Sequence, residues 1–127
     1  MTAKILLAED NATNRYLVTY LLEGAGFTVI QASNGKEALR LAQAECPDLV
    51  LMDLQMPEMD GYEAAQRMHA DPQFAGLPIV ALTSYAMVRD RTKALDFGFI
   101  GYIEKPIKTE TFVSEISRLL SGKNAPA

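Results

Sequence analysis

The sequence predicts an α/β fold in which five parallel strands alternate with five helices. Short apolar runs rich in β-branched residues recur along the 127-residue chain, and stretches with helical spacing of apolar residues separate them. Such alternation without an internal repeat is typical of βα units, which build a parallel sheet with helices on both faces. Because 49% of the residues are apolar, the chain can bury one core, and we expect a single domain.

Each element has a local signal. The strands are predicted at the five apolar runs, at about 4–8, 28–32, 49–52, 79–82 and 101–104. The helices are predicted at about 13–23, 34–45, 62–70 and 87–96, with a last one that includes 112–120. Asn34 followed by Glu37 resembles a capping box that starts the second helix, and Pro47 ends it. The fourth helix has the weakest apolar stripe, so we expect it to be the least firmly packed.

Composition and charge exclude several classes of function. The net charge is −4 and the 12 Lys and Arg residues are dispersed, which argues against nucleic acid as a direct partner. Since no long apolar run or signal-peptide pattern is present, we expect no membrane span and a cytoplasmic protein. The single cysteine, Cys46, excludes an internal disulfide, and we interpret it as a small residue near a helix end. We interpret the single histidine, His69, as a solvated surface residue.

Polar residues follow four of the predicted strands. Glu9 and Asp10 follow the first strand, and Asp53 follows the third. Thr83 ends the fourth, and Lys105 follows the fifth. Because ligands bind outside the carboxyl ends of the strands in open α/β sheets, we expect these five side chains to converge in one pocket.

The chemistry of these residues indicates a phosphoryl and metal site. Carboxylates held together repel one another, and oxygen ligands without nearby His or Cys favour Mg²⁺. Asp53 is the best candidate nucleophile, because an ionised carboxylate can attack phosphorus once a cation such as Lys105 or Mg²⁺ screens the repulsion. The hydroxyl of Thr83 can bond a phosphoryl oxygen. These residues predict a protein that carries a covalent phosphate reversibly, rather than an enzyme that turns over a diffusing metabolite.

The segments that carry these residues resemble the receiver domain of bacterial two-component response regulators. The matching segments are ILLAEDN, DLVLMDLQMPEMDGYEA, PIVALTSYAM and YIEKPI, with agreeing spacing over about 4–120. The resemblance implies a flavodoxin-like (CheY-like) fold with strand order 2-1-3-4-5, a receiver domain over 1–122 and a flexible tail over 123–127. It also implies that Asp53 is the phosphoacceptor. The implied Mg²⁺ ligands are Asp10, Asp53 and the main-chain carbonyl of Gln55, with Glu9 acting through water.

The resemblance further implies how such a site switches. Thr83 and Lys105 contact the phosphoryl group, and Lys105–Pro106 is a cis peptide. On phosphorylation Thr83 moves toward the phosphoryl oxygens and Tyr102 enters the vacated space, which changes the face made by the fourth helix, the last strand and the last helix. Gln55 and Tyr85 flank the site at positions that tune loss of the phosphate, and the bulk of Tyr85 predicts slow autodephosphorylation.

The resemblance also implies partners. A sensor histidine kinase or a histidine phosphotransfer protein supplies the phosphate, and a downstream protein target reads it. The sequence does not decide whether phosphorylation also produces a homodimer. The segments MDLQMPEMDG and ALTSYAM are similar to receivers of hybrid sensor kinases and of stand-alone phosphorelay or cell-cycle regulators. Partner specificity is predicted at four residues of the first helix: Asn14, Arg15, Val18 and Leu22.

Three alternatives stay open from the sequence. The first is a receiver domain excised from a larger hybrid histidine kinase. The second is a Mg²⁺-dependent aspartyl-phosphate phosphatase of the haloacid dehalogenase type, which normally needs a second Asp where this chain has Gln55. The third is a flavin-binding electron carrier, although the loop at 9–12 is acidic where a phosphate cradle is neutral or glycine-rich.

Overall fold

Five parallel strands form the sheet, in the order β2-β1-β3-β4-β5. The computed structural model describes residues 3–54, 56, 59–74, 76–83, 92–93 and 95–121. The strands are β1 (Lys4–Ala8), β2 (Thr28–Ala32), β3 (Leu49–Asp53), β4 (Ile79–Thr83) and β5 (Gly101–Glu104). The helices are α1 (Ala12–Gly24), α2 (Gly35–Glu45), α3 (Gly61–Ala70) and α4 (Phe112–Leu120). The predicted fold class and strand order are confirmed.

The described residues contain four α-helices, whereas the sequence predicts five. The predicted fourth helix, 87–96, lies mostly outside the described residues, although 92–93 and 95–96 are helical. A single 3-10 turn, Pro72–Phe74, which the sequence does not predict, precedes β4. The predicted tail, 123–127, also lies outside the described residues. No helix in the described part of the chain is both long and apolar enough to cross a bilayer.

Two apolar layers attach the helices to the sheet. Successive residues of a strand point to opposite faces, so each buried strand contributes to both layers. On one face, α1 and α4 pack through large aliphatic and aromatic side chains such as Leu22, Phe112 and Ile116. On the other face, α2 and α3 pack mainly through alanines, with Met68 as a larger member. These alanines are Ala38, Ala42, Ala64 and Ala65.

Side-chain caps start three of the helices. Asn11 Oδ1 accepts a hydrogen bond from Asn14 N at 2.9 Å and so begins α1 just beyond β1. Asp60 caps α3 in the same way. The predicted cap at Asn34 is confirmed, since its side chain accepts from Glu37 N at 2.8 Å. The caps at α1 and α3 fix where each helix leaves the carboxyl edge of the sheet.

The buried side of α1 corrects the sequence interpretation. Val18 and Leu22 are 1% and 0% exposed, so they belong to the core and cannot contact a partner. Helical spacing puts Leu17, Tyr20, Leu21 and Gly24 on one side of α1, yet Tyr20 is 66% exposed. Because α1 carries its own apolar residues on several sides, their spacing does not show which side of the helix is buried. Burying the aliphatic pair leaves the tyrosine hydroxyl in water.

Cys46 and His69 lie where the sequence predicts them, at a helix end and on the surface respectively. Cys46 is exposed and ends α2 in the left-handed conformation, with φ of 49°. His69 is exposed near the end of α3. Its Nε2 lies 2.9 Å from the main-chain oxygen of Gly98, so the side chain connects α3 to the segment that precedes β5.

Candidate functional site

The carboxyl ends of β1, β3, β4 and β5 bring the predicted site residues to one edge of the sheet. The chain winds in opposite directions from the central pair β1 and β3, and this point is where open α/β sheets bind ligands. Glu9, Asp53 and Thr83 are the buried polar or charged residues within the described ranges. Asp10 is exposed, so the pocket has a side open to solvent.

Lys105 bridges two of the buried carboxylates. Its Nζ donates a hydrogen bond to Asp53 Oδ2 at 3.0 Å and lies 2.8 Å from Glu9 Oε1. The lysine side chain is only 14% exposed. Burial by itself lowers the pKa of Lys105, but the two carboxylates outweigh this effect and raise it above 10.5. The ammonium therefore stays charged and partly neutralises the pocket.

Both carboxylate oxygens of Glu9 have a partner, one in a hydrogen bond and the other in the ion pair with Lys105. Its Oε2 accepts a hydrogen bond from Asn11 N at 3.1 Å. Its Oε1 has the ion pair with Lys105 but no well-directed hydrogen bond from the described part of the chain. Burial raises the pKa of Glu9 from 4.5 to about 7, with Lys105 opposing the rise and Asp53 adding to it. A further positive charge would stabilise the ionised form.

The three acidic side chains are close enough to share one cation. One carboxylate oxygen from each of Glu9, Asp10 and Asp53 lies within 4.8 Å of the others. The donors are all oxygen, which suits a hard ion such as Mg²⁺. The acidic cluster that the sequence predicts is therefore present.

The main chain of Asp53 packs closely against Gly61 at the start of α3. A Cβ at Gly61 would collide with the main-chain oxygen of Asp53, so only glycine allows α3 to begin here. Gly61 N also donates to Leu54 O at 3.3 Å, and Leu54 N donates to Leu82 O at 3.1 Å. The residue after the phosphoacceptor candidate is therefore joined to both α3 and β4.

Thr83 and Tyr102 lie on the same face of the sheet. Ala81 pairs with Tyr102 in the β4–β5 register, and Thr83 is two residues beyond Ala81 on the same strand. Thr83 is buried, whereas Tyr102 is partly buried and packs against the apolar layer of α2 and α3. Lys105 N donates to Thr83 O at 2.8 Å, which joins the two strand ends. The Lys105–Pro106 peptide is cis, as the resemblance implies.

Arg15 contacts the site, although the sequence interpretation assigns it to a partner surface. Its Nη1 donates to the main-chain oxygen of Glu9 at 2.8 Å, and the side chain is partly buried. The available signal is its position on the first turn of α1, from which a long side chain can reach back to the end of β1. Gln55 and Tyr85, which the sequence also predicts at the site, lie outside the described residues.

The fold and pocket define a flavodoxin-like α/β domain with an acidic, lysine-bridged site at the carboxyl edge of its sheet. Residues 5–117 match the family model of the response regulator receiver domain. The chain belongs to this family and is a receiver domain of two-component signalling. This membership favours the receiver interpretation over the phosphatase and the flavin carrier.

Similar proteins cover nearly the whole chain. The polar-differentiation response regulator DivK of Brucella ovis is 37% identical over 120 residues, which are 94% of this chain and 98% of that protein. The Vibrio cholerae chemotaxis protein CheY4 aligns with a TM-score of 0.88 and 30% identity, covering 93% of this chain and 98% of that one. The receiver domain of a Pseudomonas aeruginosa sensor histidine kinase, solved with a magnesium ion in its active-site cleft, aligns with a TM-score of 0.83 and 34% identity. That alignment covers 96% of this chain and 97% of the other.

Proposed function

We propose that this receiver accepts a phosphoryl group on Asp53 from a phosphohistidine of a partner protein, in a reaction that requires Mg²⁺. The observation that carries the proposal is the buried Asp53 carboxylate, which Lys105 contacts at 3.0 Å beside two further acidic residues. The domain spans 1–122 and promotes only its own phosphorylation and dephosphorylation. Its output is a changed surface that regulates a downstream protein.

The donor set of the pocket supports Mg²⁺ as the metal. Asp10, Asp53 and the main-chain carbonyl of Gln55 would hold the ion, and Glu9 would act through water. The close oxygens of the acidic cluster support this assignment. When bound, Mg²⁺ supplies positive charge against the oxygens of the phosphoryl group.

The chain's own groups have distinct tasks in the transfer. The Asp53 carboxylate forms a bond to phosphorus, while the bond from phosphorus to the imidazole nitrogen of the donor breaks and the imidazole leaves with that electron pair. Burial and the contact with Gly61 hold Asp53 in position, which reduces the entropy lost on reaching the transition state. Lys105, already beside Asp53, is placed to attract the phosphoryl oxygens.

Thr83 and Tyr102 are proposed to transmit the change. Their shared face of the sheet supports a movement of Thr83 toward the phosphoryl group followed by inward rotation of Tyr102. The two arrangements exist before phosphorylation, and the phosphoryl group shifts the population by bonding better in one of them. The affected surface includes β5 and α4, and it would bind the downstream target.

The phosphodonor is proposed to lie against α1. This helix begins two residues after Asp10, so a protein that reaches Asp53 through the open side must approach the start of α1. Tyr16 and Tyr20 are 72% and 66% exposed, and their rings stack with centroids 6.4 Å apart. These two residues and Asn14 replace the buried Val18 and Leu22 as the proposed contacts for a histidine kinase or histidine phosphotransfer protein.

Phosphorylation by a small donor tests the proposal directly. The protein is incubated with phosphoramidate with and without Mg²⁺, and the intact mass is measured. We expect one phosphoryl adduct that requires Mg²⁺, is lost on treatment with hydroxylamine and does not form in Asp53→Asn. The matched control is Asp96→Asn, an exposed aspartate outside the pocket. An adduct that forms equally well without Mg²⁺, or that still forms in Asp53→Asn, would contradict Asp53 as the Mg²⁺-dependent phosphoacceptor.

A further inference from the structure

We propose that Arg15 is a positioning residue that holds the acidic loop between β1 and α1 in the geometry needed to bind Mg²⁺. This inference rests on the proposed function, because it assigns Arg15 a task in the same pocket. It concerns the orientation of Glu9 and Asp10, which are adjacent in sequence but differ in exposure: Glu9 is buried and Asp10 is exposed.

One hydrogen bond joins Arg15 to the loop between β1 and α1. Arg15 Nη1 donates at 2.8 Å to the carbonyl oxygen of the peptide that joins Glu9 to Asp10. A peptide unit is planar, so fixing its oxygen restricts the orientation of the whole plane and of the Cα atom at each end. Those two Cα atoms carry two of the three carboxylates of the acidic cluster. The guanidinium thus acts on both metal-binding side chains through one main-chain atom.

Other contacts hold Glu9 but do not reach this carbonyl. Glu9 N donates to Ala32 O at 3.0 Å, and Glu9 Oε2 accepts from Asn11 N at 3.1 Å. These two bonds hold the main-chain nitrogen of Glu9 and its carboxylate. The Arg15 bond instead fixes the side that leads to Asp10, whose exposed side chain is not held by packing. Losing the guanidinium would therefore disturb Asp10 more than Glu9.

Positioning and simple electrostatics predict opposite results, so the sign of the effect is informative. A cation near an acidic pocket repels Mg²⁺, and removing its charge alone would strengthen Mg²⁺ binding. If Arg15 positions the loop, its removal should weaken Mg²⁺ binding despite the lost repulsion. A third possibility is that Arg15 serves only to contact a protein partner, in which case Mg²⁺ binding would show no more than the tightening caused by the lost charge.

The experiment compares Arg15→Met, Arg15→Lys and the control Arg40→Met. Arg40 lies on α2, where its Nη2 is 4.0 Å from Glu37 Oε2. Replacing Arg40 therefore changes the net charge without altering the pocket. Mg²⁺ affinity is measured by direct titration of tyrosine fluorescence, and the rate of phosphorylation by phosphoramidate is measured against Mg²⁺ concentration. Thermal unfolding in EDTA reports whether each variant is folded.

We expect Mg²⁺ binding by Arg15→Met to weaken about tenfold, the usual effect of losing a group that orients a metal ligand. The phosphorylation rate should recover at saturating Mg²⁺, with Arg15→Lys intermediate and Arg40→Met unchanged. Unchanged or tighter binding in Arg15→Met would overturn the proposal, as would a loss of thermal stability alone with normal Mg²⁺ affinity. If Arg15→Met does not fold, Arg15→Gln takes its place, and unchanged or tighter Mg²⁺ binding in that variant overturns the proposal equally. Failure of the wild type to accept phosphate from phosphoramidate would instead contradict the proposed function.

Discussion

Among single residues, Lys105 matters most to the pocket, because its one ammonium group serves two buried carboxylates. Lys105 contacts both Glu9 and Asp53, each at hydrogen-bond distance, although the carboxylates come from different strands. Removing one member of a buried ion pair leaves an uncompensated charge in a medium that solvates it poorly. Lys105 should therefore affect stability far more than a surface lysine does.

Lys105→Met should lower the free energy of unfolding by about 3 kcal/mol in metal-free buffer, because two buried carboxylates lose their counter-charge. Denaturant unfolding in EDTA measures this loss, and added Mg²⁺ should recover part of it. Lys36→Met is the control, since Lys36 is exposed on α2. Equal losses in the two variants would contradict the importance of the bridge.

Glu9 gives a pH-dependent prediction. Its pKa is raised to about 7 in the folded protein, so the folded state favours the protonated form, and stability falls as the pH rises from 4.5 through about 7. Glu9→Gln removes this loss. We expect its melting temperature in EDTA at pH 8 to exceed that of the wild type by about 3–6 °C, with the difference narrowing toward pH 5.

The same variant tests which electrostatic effect dominates. Thermal unfolding is followed by circular dichroism at both pH values, in EDTA so that no metal contributes. A lower melting temperature for Glu9→Gln at pH 8 would mean that the ion pair with Lys105 outweighs the cost of burying the carboxylate.

At the element scale, the strands follow closely from the sequence. The predicted bounds of β1, β2 and β5 match the structure, and β3 and β4 extend by one residue to include Asp53 and Thr83. Strands buried on both faces must be continuously apolar, which makes them easy to recognise, and their polar ends mark the pocket. The location of these five residues at one edge of the sheet was therefore predictable as a group.

Contacts made by α1 were not predictable in the same way. Apolar residues surround much of the helix, so Val18 and Leu22 could not be distinguished as the buried pair without the partner surface. The sequence places Arg15 among the residues that face a partner, and charged side chains are mostly exposed. Its contact with Glu9 O depends on how α1 leaves β1, which residue spacing does not specify.

The start of α3 gives a prediction with an internal control. Gly61→Ala places a methyl group against the main-chain oxygen of Asp53, and we expect a loss of about 1–3 kcal/mol together with slower phosphorylation. Gly24→Ala, near the end of α1, meets nothing within 4 Å and should leave both quantities nearly unchanged. Denaturant unfolding and phosphoramidate assays on both variants make the comparison. Equal behaviour would contradict the role of the close contact.

At the scale of the whole molecule, the order of the strands creates the site. β1 and β3 are adjacent at the centre of the sheet, so residues 9–10 and 53 meet although more than forty residues separate them in the chain. Vibrio cholerae CheY4 has a similar architecture over almost the full chain. The acidic site thus depends on residues that are distant in sequence and that only the folded sheet brings into contact.

Metal binding should be visible as a change in global stability. An ion that binds only the folded state stabilises it, and Mg²⁺ at ten times its dissociation constant contributes about 1.4 kcal/mol, or about 4 °C in melting temperature. We expect this rise in wild type and its loss in Asp10→Asn. NaCl of equal ionic strength is the control for screening. A rise of the same size in NaCl, or in Asp10→Asn, would contradict specific binding at the acidic cluster.

The lysine bridge has a consequence for when the domain depends on its metal. A positive charge that belongs to the chain cannot be chelated or diluted away, so the edge of the sheet keeps a resident counter-charge at any Mg²⁺ concentration. Folding of the domain is thereby independent of the Mg²⁺ supply, whereas the proposed phosphoryl transfer requires the ion. A cell that runs short of Mg²⁺ would hold a folded but unresponsive domain, which regains its function as soon as the ion returns.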